Sequence, residues 1–182
     1  MMKKLYFIYL LLILFSVTTT SCEDEQLEGE FAADPVSAAT GSFTATVNGE
    51  GFSSQAIAST EGTIGTTTIE AFSLLAANST GQGISIILNT YDGVGTYALD
   101  SEAGSIGNSG AYSDVGDLNA PVITTYNTSL SGGTGSITIT EIDLDNLVTS
   151  GTFSFTAANS NGEGDTATIT NGVFSNIPIM NN

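Results

Sequence analysis

Glu141-Ile142-Asp143-Leu144-Asp145-Asn146 sets three carboxylates at alternate positions, which an extended chain places on one face. Hard oxygen ligands without competing cations suit Ca²⁺, so Glu141, Asp143 and Asp145 form a candidate calcium site. The spacing is not that of an EF-hand loop, which needs a glycine turn and a glutamate at its twelfth position. The alternative reading is a solvated hairpin end. An unbroken strand would carry these acids on the face of Ile137 and Ile139, and three carboxylates cannot follow two isoleucines into a core. A bulge or strand end is therefore expected near residues 140–142, turning Ile142 and Leu144 inward and leaving the acids in water.

Other chemistry is thin. The chain has no histidine, and Cys22 is its one cysteine, so triads of the Ser-His-Asp or Cys-His kind and an internal disulfide are excluded. Zinc sites fail for the same lack of ligands. A pair of carboxylates suffices for glycoside hydrolysis, which keeps a carbohydrate-active enzyme as an alternative. Against it, the chain has no tryptophan to stack on sugar and no basic residue beyond position 4 to tune a carboxyl group. No enzyme activity and no cofactor other than the candidate Ca²⁺ are expected. Tyr91, Tyr97, Tyr112 and Tyr126 are either an aromatic binding surface or core residues with their hydroxyls at the rim.

Lys3 and Lys4 are the only basic side chains in 182 residues with a formal charge of −17. If residues 1–21 are removed, both lysines go and the charge becomes −19. Nucleic-acid binding, which depends on Lys and Arg displacing counterions from phosphates, is excluded. The same imbalance implies self-repulsion within the folded state.

The N-terminus has the layout of an export signal: Lys3-Lys4, an apolar run over 5–15, then Ser16-Val17-Thr18-Thr19-Thr20-Ser21 before Cys22. The run is shorter than the roughly 18 apolar residues expected of a membrane-spanning helix. Thr19-Thr20-Ser21-Cys22 resembles a lipobox, with Thr19 where leucine is usual. The resemblance implies a thioether from Cys22 to diacylglycerol and acylation of the new amino group. Each buried methylene contributes about 0.8 kcal/mol, so two or three chains anchor stably where one does not. Glu23, Asp24 and Glu25 resemble the surface-export signal of Bacteroidetes lipoproteins, a solvated tether being the alternative. Residues 1–21 are thus read as a lipoprotein signal peptide, 22–38 as an acidic flexible tether and 39–180 as the folded domain.

Within that domain Phe43, Ala45 and Val47 alternate with Ser42, Thr44 and Thr46, and period two is the strand signature. Ile137/Ile139, Phe153/Phe155/Ala157 and Ala167/Ile169 repeat it with Ser or Thr between. Asn48-Gly49, Asp92-Gly93, Gly132-Gly133, Asn161-Gly162 and Asn171-Gly172 supply the positive φ of tight turns. Nine or ten strands are expected, near 42–47, 52–58, 66–76, 83–90, 95–99, 110–115, 121–128, 134–142, 148–157 and 165–175. The fold class is all-β: an antiparallel β-sandwich of about nine or ten strands, with a flattened β-barrel as runner-up.

The strings Phe43-Thr44-Ala45-Thr46-Val47-Asn48-Gly49, Gly95-Thr96-Tyr97, Gly151-Thr152-Phe153-Ser154-Phe155 and Ile169-Thr170-Asn171-Gly172-Val173-Phe174, in this order, resemble a family of uncharacterised Bacteroidetes lipoproteins over roughly residues 40–178. The resemblance implies an exported, lipid-anchored, β-rich protein and carries no catalytic residues. Asp165-Thr166-Ala167 resembles the short O-glycosylation acceptor of the same bacteria, with Thr166 as acceptor. The expected function is a non-catalytic binding or structural module, lipid-anchored at the outer membrane and exposed on the cell surface. Its partner would be a protein or a neutral glycan. The alternatives are the carboxylate enzyme and a Ca²⁺-stabilised, adhesion-type surface domain.

Overall fold

The computed structural model describes residues 41–60, 62–64, 67–69, 71–100, 107–162 and 164–180. Alternation of apolar and hydroxyl side chains becomes strand throughout. The elements are β1 (Ser42–Val47), β2 (Glu50–Ser59), β3 (Gly62–Ile64), β4 (Thr67–Ile69), β5 (Phe72–Ala77), β6 (Gln82–Leu88), β7 (Gly95–Ala98), β8 (Ser109–Asp114), β9 (Thr124–Asn127), β10 (Thr134–Asp143), β11 (Val148–Asn159) and β12 (Thr166–Met180). The fold is all-β, with no helix among the described residues. The expected strand over 66–76 is divided between β4 and β5, and β3 pairs with β4 as a separate small hairpin.

Ten strands form one sheet in the order β1-β12-β2-β5-β6-β8-β9-β11-β10-β7, with further pairings of β1 with β2 and of β11 with β12. The circuit β2-β5-β6-β8-β9-β11-β12 returns to β2, so the sandwich expected from the sequence is joined at its corners into a flattened barrel. Two long strands make the joins. β2 pairs with β1 over residues 50–54 and with β5 over 55–59. β11 pairs with β10 over 148–156 and with β9 at 158–159. Every pairing is antiparallel except that of β12 with β2, where Ile179 and Met180 face Ala58 and Ser59.

The core is aromatic at its centre. Phe43 stands edge-on to Phe52 at 5.9 Å and lies 5.1 Å from Phe153, which is 6.5 Å from Phe174. Burying each ring contributes about 1.5–3 kcal/mol, and each aromatic pair about 0.5–1.5 kcal/mol more. Glycines in the facing strands make room: Gly151 pairs with Phe174 and Gly172 with Phe153, and a Cβ on Gly172 would sit 2.6 Å from the Phe153 ring.

Asn171-Gly172, expected as a hairpin turn, lies inside β12. Asn171 (φ 51°) and Asn176 (φ 52°) adopt left-handed backbone there; the pairing with β11 slips by one residue at each, and that with β1 at Asn171. The extra residues reset the strand's phase, so that Ala167, Ile169, Gly172, Phe174, Ile177 and Ile179 all stay buried along 15 residues. These are β-bulges, and they let β12 run on to Met180, past the expected end at 175.

Candidate functional site

The acidic segment closes the β10–β11 hairpin. Register slips between Ile139 and Glu141, a bulge where incompatible faces called for one. Ile142 packs, partly buried, against the core. Leu144, expected inside, is instead 63% exposed, because strand pairing ends at Asp143–Val148 and the turn beyond faces water. Asp143 organises that turn: Oδ1 accepts the backbone N–H groups of Asp145 (3.0 Å) and Asn146 (2.9 Å), and Oδ2 accepts from Nδ2 of Asn146 (2.6 Å). These bonds, the Asn146 side chain's first, hold the Asp143 carboxyl below its ordinary value. Beneath it the buried Thr149 hydroxyl donates to the carbonyl of Glu141 at 2.9 Å.

Asp143 thus supports the turn with both of its carboxyl oxygens. Among the described residues no three His, Cys, Asp or Glu side chains gather as metal ligands, so Glu141, Asp143 and Asp145 are neighbours in sequence without converging. A carboxyl group with a lowered folded pKa stabilises above its unfolded value near 3.8 and ceases to do so as pH falls through the folded one. Asp143→Ala is accordingly expected to lower stability at pH 7 and to lower it by less in acid, measured by urea unfolding under both conditions. An equal deficit at both would contradict a contribution from the ionised carboxylate.

The four tyrosines fall into two pairs that pack on the core. Tyr91 stacks on Phe72 at 5.6 Å and neighbours Tyr97 at 6.1 Å. The Tyr97 hydroxyl donates to the carbonyl of Gly93 (2.6 Å) and accepts from the amide of Asp92 (3.0 Å). At the other end of the sheet Tyr112 stacks on Tyr126 at 5.9 Å. Their hydroxyls donate to Asp114 Oδ2 (3.2 Å) and Asp165 Oδ2 (3.0 Å). Burial, aided by the neighbouring Asp114 charge, pushes Tyr112 up to about 12. A phenol raised in this way costs stability as pH climbs from its unfolded value near 10 toward 12. Absorbance titration is expected to show a late tyrosine step near pH 12, and Tyr112→Phe to remove it.

Asp165, which precedes Thr166, is held below its ordinary value by Asn159, whose Nδ2 donates to Oδ1 at 2.9 Å, and by the Tyr126 hydroxyl. Thr166 itself is exposed at the first position of β12.

The outer face of β1, β12, β11, β10 and β7 is a surface that sequence reasoning did not single out. Register aligns Thr44, Val173, Thr152, Thr138 and Thr96 in one row across these five strands, and the hydroxyls of Thr96 and Thr138 are 2.9 Å apart. Beside the row a shallow depression of about 330 Å³ is lined by Ser136, Thr138, Thr152, Ser154, Asn171 and Gly172, with Phe153 and Val173. Its one sequence signal is the Asn-Gly pair interrupting an alternating strand.

Residues 39–178 match a family model described as a domain of unknown function, DUF6252. The chain belongs to the DUF6252 family. The match spans β1 to β11 and β12 as far as Pro178, so the hairpin turn, both tyrosine pairs and the hydroxyl row are parts of the DUF6252 domain. No curated protein and no solved structure matches this chain. Cys22, the acids Glu23, Asp24 and Glu25, and the segments 1–21 and 22–38 fall outside both the DUF6252 match and the described residues.

Proposed function

We propose that this DUF6252 protein is a non-catalytic module of a bacterial envelope, held to the outer membrane by acyl chains on Cys22 and displayed on the cell surface. The observation that carries the proposal is the placement of the chain's one cysteine directly behind a basic pair, a short apolar run and a small polar stretch. The acids at 23–25 support surface display. The absence of histidine, lysine and arginine beyond residue 4 supports a binding or structural role over chemistry. The ionised side chains of the domain are all carboxylates. A protein or a neutral glycan suits such a surface, since an anion would be repelled.

Cell fractionation tests the anchor. The parent protein is expected in the membrane pellet and digestible by protease added to intact cells, while Cys22→Ala is expected in the soluble fraction. A Cys22→Ala protein that still sediments with membranes would overturn the anchor. Full protection from protease would overturn surface display.

A further inference from the structure

The loop joining β8 to β9 presents three large apolar side chains to water: Leu118 at 58%, Val122 at 73% and Ile123 at 65% exposure. Single exposed apolar residues need no explanation, whereas three within the six residues 118–123 make a candidate interaction site. The loop is also stiff. The Val115 amide donates to the carbonyl of Gly81 (3.1 Å) and the Val122 amide to the carbonyl of Val115 (3.2 Å). Asp114 accepts from the Gly116 amide and Asp117 from the Asn119 amide, each at 2.8 Å. Pro121 fixes its own φ directly before Val122. A backbone already held in place loses little freedom on binding.

Charge specifies what covers them. Asp114 ends β8 and Asp117 lies in the loop that follows it, Asp165 lies at the same end of the sheet through its bond to Tyr126, and no basic residue occurs anywhere in the domain. We infer that this loop is the docking tip for a protein partner whose surface offers an apolar pocket rimmed by Lys or Arg. A second copy of this chain, lacking any cation in the domain, does not meet that description. β1 enters the sheet beside the C-terminal part of β12, whereas this loop lies by the β11–β12 hairpin, where the Ser160 amide donates to the carbonyl of Thr125. The tip is therefore at the end of the sheet opposite the start of β1; its display to a partner outside the cell rests on the lipid-anchored reading.

The test is photo-crosslinking in intact cells with the full-length protein carrying p-benzoylphenylalanine in place of Leu118 or, as a control on the hydroxyl face, Thr152. A discrete protein adduct is expected from position 118 and not from 152. The crosslinked peptide should combine apolar residues with Lys or Arg. Yield is expected to fall at least about tenfold when Val122→Ser and Ile123→Ser are introduced together, and to fall when NaCl is raised to about 0.5 M. Both positions are exposed, so the fold is retained, and Leu75→Ser, at an exposed apolar position on β5, should leave the yield unchanged. No adduct, equal adducts from 118 and 152, an adduct with phospholipid or with this chain itself, or a yield indifferent to the paired substitution would each overturn the inference. Fractionation of the same cells reports the anchor separately, so that either reading can fail alone.

Discussion

Gly151→Ala is expected to destabilise the sheet by several kcal/mol, enough to leave the chain substantially unfolded under mild conditions. A Cβ at this position would lie well inside contact distance of the Thr138 carbonyl oxygen and 2.5 Å from Cζ of Phe174. The first neighbour is backbone of β10 and can yield only by breaking the ladder that joins it to β11. The second is a fully buried ring whose displacement disturbs Phe153 and, through it, Phe43. Gly51→Ala is the matched control, since a Cβ there meets nothing within 4 Å, and its effect should stay within about 0.5 kcal/mol. Urea unfolding of both variants checks the pair. A Gly151→Ala protein as stable as the control would mean that β10, β11 and β12 do not share this register.

Raising NaCl from about 0.1 to about 1 M is expected to lift the melting temperature by roughly 5 °C, the reverse of what a protein held by ion pairs would do. Every ionised side chain of the domain is a carboxylate, so folding gathers like charges and forms no compensating bridges. Screening shortens the reach of that repulsion from about 10 Å to about 3 Å over this range. CaCl2 at equal ionic strength separates screening from a site. A further rise that Asp143→Asn abolishes would establish calcium at the β10–β11 turn, whereas equal effects would assign Asp143 to the turn alone. A melting temperature that stays level or falls in NaCl would contradict the repulsion.

How much of this was legible in the sequence depended on how local the deciding contacts are. Phe43, Ala45 and Val47 declare β1 because period two needs no partner to be read. The bulge before Glu141 was legible for a similar reason: two isoleucines and three acids cannot share a face, whatever lies opposite. The fate of Leu144 was not legible, since it rests on pairing stopping at Asp143–Val148. Asn171-Gly172 was misread because the same positive φ that closes a hairpin also makes a bulge. Only the partners of Val173 on either side, Thr44 and Thr152, distinguish the two. Closure of the sheet through β2 and β12 joins residues more than 100 positions apart, and the hydroxyl row needs four registers at once. Neither leaves a mark in any short window of sequence.

The lipid on Cys22 is the claim from which envelope location and display both follow, and the mass of the N-terminal peptide of the protein purified from its native membranes tests it most directly. That peptide is expected to begin at Cys22 and to carry the added mass of a diacylglyceryl thioether with an acylated amino group. A peptide bearing unmodified Cys22 still joined to residues 1–21 would contradict it.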